Sequence, residues 1–178
     1  NGKITTNSKF ENIFVASNPG DAGGAIGSAY VAYENYHKKK PKRVSAYLGK
    51  EYTESEISNE IKKYREVMDL KNCSTYIFKT YDDVLKFTAK QISLGKIIGW
   101  FQGKMEWGPR ALGNRSILAD PRNKNIREII NLKIKRRENF RPFAPSILFE
   151  DADEWFVNCL DEEPFMSRVL KFKDDKIK

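Results

Sequence analysis

At 178 residues, with 40% hydrophobic and 31% charged side chains, the chain has the composition of a soluble globular protein with room for one domain, or for one domain and part of another. No run approaches the roughly 20 apolar residues of a membrane span, and no apolar leader opens the chain. Cys73 and Cys159 are too few and too far apart for a disulfide scaffold or a zinc ribbon, and His37 is the sole histidine, which excludes a histidine triad or a multi-histidine metal site built from these residues. Two reduced thiols fit a cytoplasmic protein. The first residue is Asn1 rather than Met, so a processed product or a piece of a longer protein is expected.

The net charge of +8 raises nucleic acid as a partner class. The cations are split, however. Lysines fall in linkers and helices, at Lys38 to Lys42 and at Lys62-Lys63, whereas arginines concentrate between Arg110 and Arg141. Arginine suits planar, bidentate contact with phosphate or carboxylate. The split therefore points to an anionic small molecule at the arginine end.

In chain order, Asn1 to Glu11 reads as polar and loose, and Asn12 to Ala16 as a short strand. Asn18-Pro19-Gly20-Asp21 is a turn, with Asp21 placed to cap a helix from Ala22 to Tyr36. Gly23, Gly24 and Gly27 each cost that helix roughly 1 kcal/mol, an expense expected where a helix packs closely on another element or a ligand. Asp21 is thus either a plain cap or a ligand carboxylate. His37 to Arg43 is a basic linker, followed by a short apolar run from Val44 to Gly49. A helix runs from Thr53 to Met68, with Ile57, Ile61, Tyr64 and Met68 on one face. Ser74 to Lys79 has strand composition. Asp82 or Asp83 starts the next helix and Gly95 stops it. Lys96 to Phe101 reads as a strand, Ser116 to Ala119 as another, and Lys124 to Arg136 as a helix. Pro142 to Phe149 is proline-bounded and then strand-like, Ala152 to Cys159 a short helix, and Phe165 to Phe172 a last strand. Alternation of this kind predicts an α/β or α+β sheet domain.

Between the two central strands lies Gly103-Lys104-Met105-Glu106-Trp107-Gly108-Pro109-Arg110-Ala111-Leu112-Gly113-Asn114-Arg115-Ser116-Ile117, continuing to Ala119-Asp120-Pro121-Arg122. Loops of this make-up bring backbone N–H groups and fixed positive charge to a polyanion. The plain alternative is a glycine-rich turn with solvated arginines.

This block resembles the carbamoyltransferase family of the NodU, CmcH and TobZ type. The resemblance also rests on Ser17-Asn18-Pro19-Gly20-Asp21-Ala22-Gly23-Gly24-Ala25-Ile26-Gly27, on Tyr47-Leu48-Gly49 before an acidic helix start, and on Phe140-Arg141-Pro142-Phe143-Ala144-Pro145-Ser146. It covers most of the chain but only the later part of the family's length. It implies the tail of an actin-like ATPase-fold domain over residues 1–40. A YrdC-like twisted mixed sheet flanked by helices would follow over 41–178, truncated at its C-terminal end, since nothing after Phe165-Met166 resembles the family's later His-Val-Asp-Gly-type motif. It implies ATP, Mg²⁺ and carbamoyl phosphate, joined as carbamoyl-adenylate, with transfer to the hydroxyl of a small molecule or sugar. It further implies partnership with the protein's own N-terminal domain, and admits a homodimer. Fe²⁺ would sit in the full-length protein, with Asp21 as a ligand whose histidine partners lie upstream.

On that reading Lys104 and Arg110 take phosphates on either side of Gly108-Pro109, and Arg115 offers a third cation. Arg141 and Ser146 hold the carbamoyl end or the nucleotide. Glu106 orients Lys104 or Arg115, or coordinates Mg²⁺. For each of these residues an ion pair that merely shapes the loop is the alternative, and for Trp107 and Phe143 packing is preferred. Two rival functions remain: a basic YrdC-like RNA-binding module, whose affinity would fall steeply with salt, and a non-catalytic structural domain, which would bind no nucleotide.

Overall fold

The computed structural model describes residues 2–10, 13–42, 45–157, 159 and 163–177. In chain order its elements are α1 (Gly2–Asn7), α2 (Gly23–His37), α3 (Glu54–Lys63), α4 (Arg65–Leu70), α5 (Tyr81–Ser93), β1 (Ile98–Phe101), β2 (Arg115–Leu118), α6 (Ile126–Ile129), a π-helical turn (Ile130–Lys135), α7 (Phe149–Trp155) and a 3-10 turn (Asp174–Lys176). The fold class is α+β. Two compact units share these elements. One comprises Asn1–Tyr47, Glu106–Leu112 and Pro142–Lys178, and the other comprises Leu48–Met105 and Gly113–Arg141.

In the first unit, α2 begins where the turn at Asn18 to Asp21 predicts. Asp21 does not cap it with its side chain. Ala22 holds the cap position, and the first turn closes through backbone bonds from Gly23 N–H to the Gly20 carbonyl (2.9 Å) and from Gly24 N–H to the Asp21 carbonyl (3.0 Å). Gly23 is required here, because a Cβ at that position would lie 2.2 Å from the Asn18 carbonyl oxygen. The helix ends at Lys38, whose left-handed backbone (φ 54°) returns its N–H to the Glu34 carbonyl. The strand expected over 12–16 is not formed at residues 13–16, and position 12 lies outside the described residues. Near the C-terminal end, the expected strand from Phe165 to Phe172 is reduced to a single antiparallel bridge between Phe156 and Phe172, flanked by the bonds Val157 N–H to Lys171 O and Lys173 N–H to Trp155 O. Helix α7 starts at Phe149, so it takes the end of the proline-bounded stretch that was expected to be strand.

In the second unit, α3 opens with a capping box: the Thr53 hydroxyl accepts from Glu56 N–H (3.2 Å) and the Glu56 carboxylate accepts from Thr53 N–H (2.8 Å). The helix expected to run to Met68 is divided at Tyr64 (φ −96°, ψ 11°). The ladder nevertheless continues through it, from Tyr64 N–H to Glu60 O and from Met68 N–H to Tyr64 O. Helix α5 is capped by the Thr80 hydroxyl on Asp83 N–H (3.2 Å) rather than by an aspartate, and Gly95 (φ 80°) stops it as expected. Strands β1 and β2 pair antiparallel with Ile98 opposite Leu118 and Phe101 opposite Arg115. No twisted mixed sheet is found among the described residues. The run from Ser74 to Lys79 is not a strand; without a partner, its β-branched and aromatic content leaves Ile77 95% exposed. Of the run at 44–49, position 44 lies outside the described residues. The rest is irregular, with Gly49 N–H bonded to the Met105 carbonyl (2.9 Å). The helix expected over Lys124 to Arg136 divides after a single α turn into the π-helical turn, which ends at Arg136 in the left-handed region (φ 50°).

Candidate functional site

The glycine-rich segment leaves β1, passes through residues of both units and returns as β2. Its stem in the second unit is held by amide side chains. The Tyr81 hydroxyl donates to Gln102 Oε1 (2.8 Å), Gln102 Nε2 donates to Asn114 Oδ1 (3.1 Å), and Asn114 Nδ2 donates to the Lys104 carbonyl (2.6 Å). This chain fixes the backbone of Lys104 next to Gly103, which sits in the left-handed region (φ 47°). The Lys104 side chain is exposed.

Arg115 faces inward on the same stem. Its guanidinium donates to the carbonyls of Gln102 (2.5 Å), Asn114 (2.8 Å) and Gly103 (3.1 Å), with Lys50 O at 3.5 Å, and lies 3.6 Å over the Phe101 ring. A planar fork with five donors satisfies several carbonyls at once, which an ammonium cannot do. In this arrangement Arg115 ties the loop's base together.

Residues 106–112 form the tip, within the first unit. The Glu106 carboxylate accepts the Leu112 N–H (2.7 Å), closing the tip into a ring, and the Tyr47 hydroxyl donates to the Leu112 carbonyl (2.8 Å). Trp107 N–H bonds to the Ala46 carbonyl (2.6 Å). Gly108 (φ 128°) brings the tip against Ser17 and Asn18, and a Cβ there would come within 3.1 Å of the Ser17 carbonyl oxygen. The Ser-Asn-Pro-Gly and Gly-Pro-Arg stretches, some ninety positions apart in the chain, thus meet in one unit. Between them lies a cavity of about 230 Å³ whose lining includes Ser17, Pro19, Pro109, Arg110, Phe165 and Ser167. The Arg110 side chain is exposed, and no described residue pairs with it.

Arg141 and the residues leading to it are organised by Asn131, which is fully buried (0% exposed) on the π-helical turn. Its Nδ2 donates to the carbonyls of Asn139 (3.3 Å) and Arg141 (2.9 Å), and its Oδ1 accepts from Arg137 Nε (2.7 Å). The Arg141 guanidinium pairs with Glu138 (2.8 Å), both side chains being about half exposed. The Glu138 carboxyl lies below its ordinary value, held down first by its own backbone N–H and then by the Arg141 charge. At the far end of the segment, the Asp120 carboxyl is lowered to about 2 by the Arg122 fork, whose Nε and second nitrogen reach Oδ1 (2.9 Å) and Oδ2 (2.7 Å).

The expected site residues therefore fall in both units. Glu106, Arg110, Asp21 and Ser146 belong to the first, and Lys104, Arg115 and Arg141 to the second. Ser146 is exposed in an irregular stretch and Asp21 lies exposed in a turn. Among the described residues no group of histidine, cysteine, aspartate and glutamate side chains is placed to hold a metal, so the set around Asp21 does not by itself fit an iron centre. No pattern in the sequence points to a role for Asn131, Gln102 or Asn114, save that Asn131 is a polar amide inside an otherwise apolar helical stripe.

Comparison with known proteins places the chain in a family. The family model described as carbamoyltransferase C-terminus matches residues 89–178. The chain is 39% identical to an uncharacterised protein of Synechocystis over 98% of its own length and 28% of that protein. It is 38% identical to the nodulation protein NolNO of Sinorhizobium fredii, over 99% of this chain and 25% of the relative. It is 30% identical to a 3'-hydroxymethylcephem-O-carbamoyltransferase of Amycolatopsis lactamdurans, over 88% of this chain and 27% of the relative. The chain thus spans about a quarter of the length of these curated relatives.

Proposed function

The chain belongs to the carbamoyltransferase C-terminal family, and from that premise we propose that it is the C-terminal part of an O-carbamoyltransferase, with residues 1–40 ending an actin-like domain and residues 41–178 forming a YrdC-like one. The proposed reaction is activation followed by transfer. Carbamoyl phosphate loses its phosphate to water, and a carbamate oxygen attacks the α-phosphorus of ATP. The bond to the β-phosphate oxygen breaks and pyrophosphate leaves. An acceptor hydroxyl then attacks the carbamoyl carbon, giving up its proton, and AMP departs.

This chemistry adds no covalent burden to the protein. It needs fixed cations and N–H donors where phosphate charge accumulates. Lys104, on a main chain clamped by Asn114, supplies a compact charge. Arg110 supplies a fork, and Arg141 with Ser146 takes the carbamoyl end or the nucleotide. Mg²⁺ would neutralise the phosphates. Glu106, whose carboxylate already closes the loop tip at Leu112 N–H, serves in this proposal by shaping the tip that presents Arg110. Fe²⁺, where the complete protein uses it, would draw on ligands beyond Asp21. The acceptor is a hydroxyl compound. The name of the Amycolatopsis relative specifies a hydroxymethylcephem for that enzyme alone.

The observation that carries the proposal is Arg110 standing unpaired among the described residues at a 230 Å³ cavity shared with the Ser17–Pro19 turn. The test is carbamoyl-phosphate-dependent exchange of labelled pyrophosphate into ATP by the complete gene product. Lys104→Ala and Arg110→Ala are each expected to lower the exchange rate by about 100-fold or more. Exchange at the unsubstituted rate would remove both residues from the activating site.

A further inference from the structure

Asn131 is an expensive choice for its position. A fully buried amide must satisfy both its donors and its acceptor or lose stability, whereas a leucine would fill the same space without that demand. Its polar atoms meet this demand on one target only, the segment that follows. Arg137 donates to Oδ1, while the carbonyls of Asn139 and Arg141 accept from Nδ2. The backbone adds a further tie, from Arg137 N–H to the Asn131 carbonyl (3.0 Å). Alternate residues 137, 139 and 141 are thereby gathered on a single side chain. The helix that carries it is wound as a π turn, a form that gives up α-helical stability and occurs mostly at functional sites. Glu138, between the anchored positions, holds the Arg141 guanidinium at 2.8 Å.

We propose that Asn131 is a positioning residue that sets the main-chain course of residues 137–141 and thereby places the Arg141 guanidinium for the carbamoyl donor. The inference rests on the role assigned to Arg141 above. Asn131 touches no substrate and acts only through Arg141. Its two N–H donors are what the role needs, since they hold the carbonyls on either side of Phe140. Asn131→Asp keeps the shape and the partner for Arg137 but puts an acceptor where two carbonyls already point. The segment from Asn139 to Arg141 should swing away while the π turn stays in place.

The experiment is a double-mutant cycle in the complete gene product, with KM for carbamoyl phosphate and kcat measured separately for Asn131→Asp, Arg141→Ala and the pair. Asn131→Asp is expected to raise the KM for carbamoyl phosphate by roughly tenfold to a hundredfold, the scale of an ångström-sized misplacement, with the acceptor's KM unchanged. In the Arg141→Ala background the same substitution should add nothing. If Arg141→Ala raises KM but Asn131→Asp is silent, or multiplies the defect in both backgrounds, the positioning role is overturned and the functional reading survives. If Arg141→Ala leaves KM unchanged, the reading of Arg141 falls and the inference with it. Should Asn131→Asp fail to fold, Arg137→Lys removes the Nε anchor from the outside and is read in the same cycle. As an independent check, the Asn131 side-chain amide protons should exchange with solvent far more slowly than those of exposed asparagines. Exchange at the exposed rate would also overturn the proposal.

Discussion

Arg115 shows how one side chain can hold its own loop. In sequence it is one more cation in a glycine-rich segment. In the fold its guanidinium is half-buried, stacked on Phe101 and donating to the carbonyls of Gln102, Gly103 and Asn114. Arg115→Lys would leave some of those carbonyls without a donor. We predict a loss of about 1–3 kcal/mol, the usual cost of unpaired buried polar groups, read as a shift in urea midpoint with an unchanged slope. An unshifted midpoint would show that water replaces the fork at no cost. Gly23 makes the complementary case for a missing side chain. A methyl there would collide with the Asn18 carbonyl at 2.2 Å, so Gly23→Ala should destabilise by about 1–3 kcal/mol as the Asn18-Pro19 turn is pushed off α2. Gly24→Ala, where a Cβ meets nothing within 4 Å, should be neutral or stabilising in the same urea titration.

Among the elements, α3 has a pH response that can be derived from its cap. The Glu56 carboxyl is lowered from 4.5 to about 2, first by the Thr53 N–H, then by the Lys50 ammonium and the Thr53 hydroxyl. A carboxyl held lower in the folded state stabilises it fully above its ordinary value and progressively less as pH falls toward the lowered one. The first turn of α3 should therefore fray between about pH 4.5 and 2, visible as a carboxyl-carbon NMR titration of Glu56 with its midpoint near 2. Lys50→Met should raise that midpoint only part of the way, because the larger contribution from the Thr53 backbone remains. A midpoint near 4.5 in the unsubstituted chain would show that the box is open in solution. Local signals of this sort were legible in the sequence: the acidic start of α3, the Gly95 stop of α5, the two strands flanking the glycine-rich segment. What could not be read was anything that depends on a distant partner. Among the described residues, Ser74 to Lys79 has strand composition but no neighbouring strand, and Phe165 to Phe172 finds only the Phe156 bridge. The π winding at Ile130 accompanies the burial of Asn131 against 137–141, neither of which is visible in an isoleucine-rich periodicity. In the candidate site the cation-bearing blocks could be identified from residue order. The division of labour among them, with Arg115 and Glu106 turned inward and Arg110 outward, needed the hydrogen bonds.

At the scale of the whole chain, large apolar side chains stand in water: Ile77 is 95% exposed, Val169 92%, Tyr36 83% and Leu70 82%. Scattered exposure is ordinary, but these values are unusual for residues of this size. If the complete gene product covers them, the isolated 178 residues will bind more of a hydrophobic dye per mole than the complete protein does. Equal binding would show that the side chains face solvent in both. The make-up of the units also governs how the protein can be taken apart. The first is assembled from Asn1–Tyr47, Glu106–Leu112 and Pro142–Lys178, and the second takes the chain segments between them in sequence. No pair of chain ends delimits either one. A deletion that runs beyond Tyr47 from the N-terminal side, or beyond Pro142 from the C-terminal side, removes residues of both units, so loss of activity on such a truncation cannot be assigned to one of them. A chimaera with a relative must exchange the block from residue 1 to 178 entire, or else exchange the stitched segments as a set.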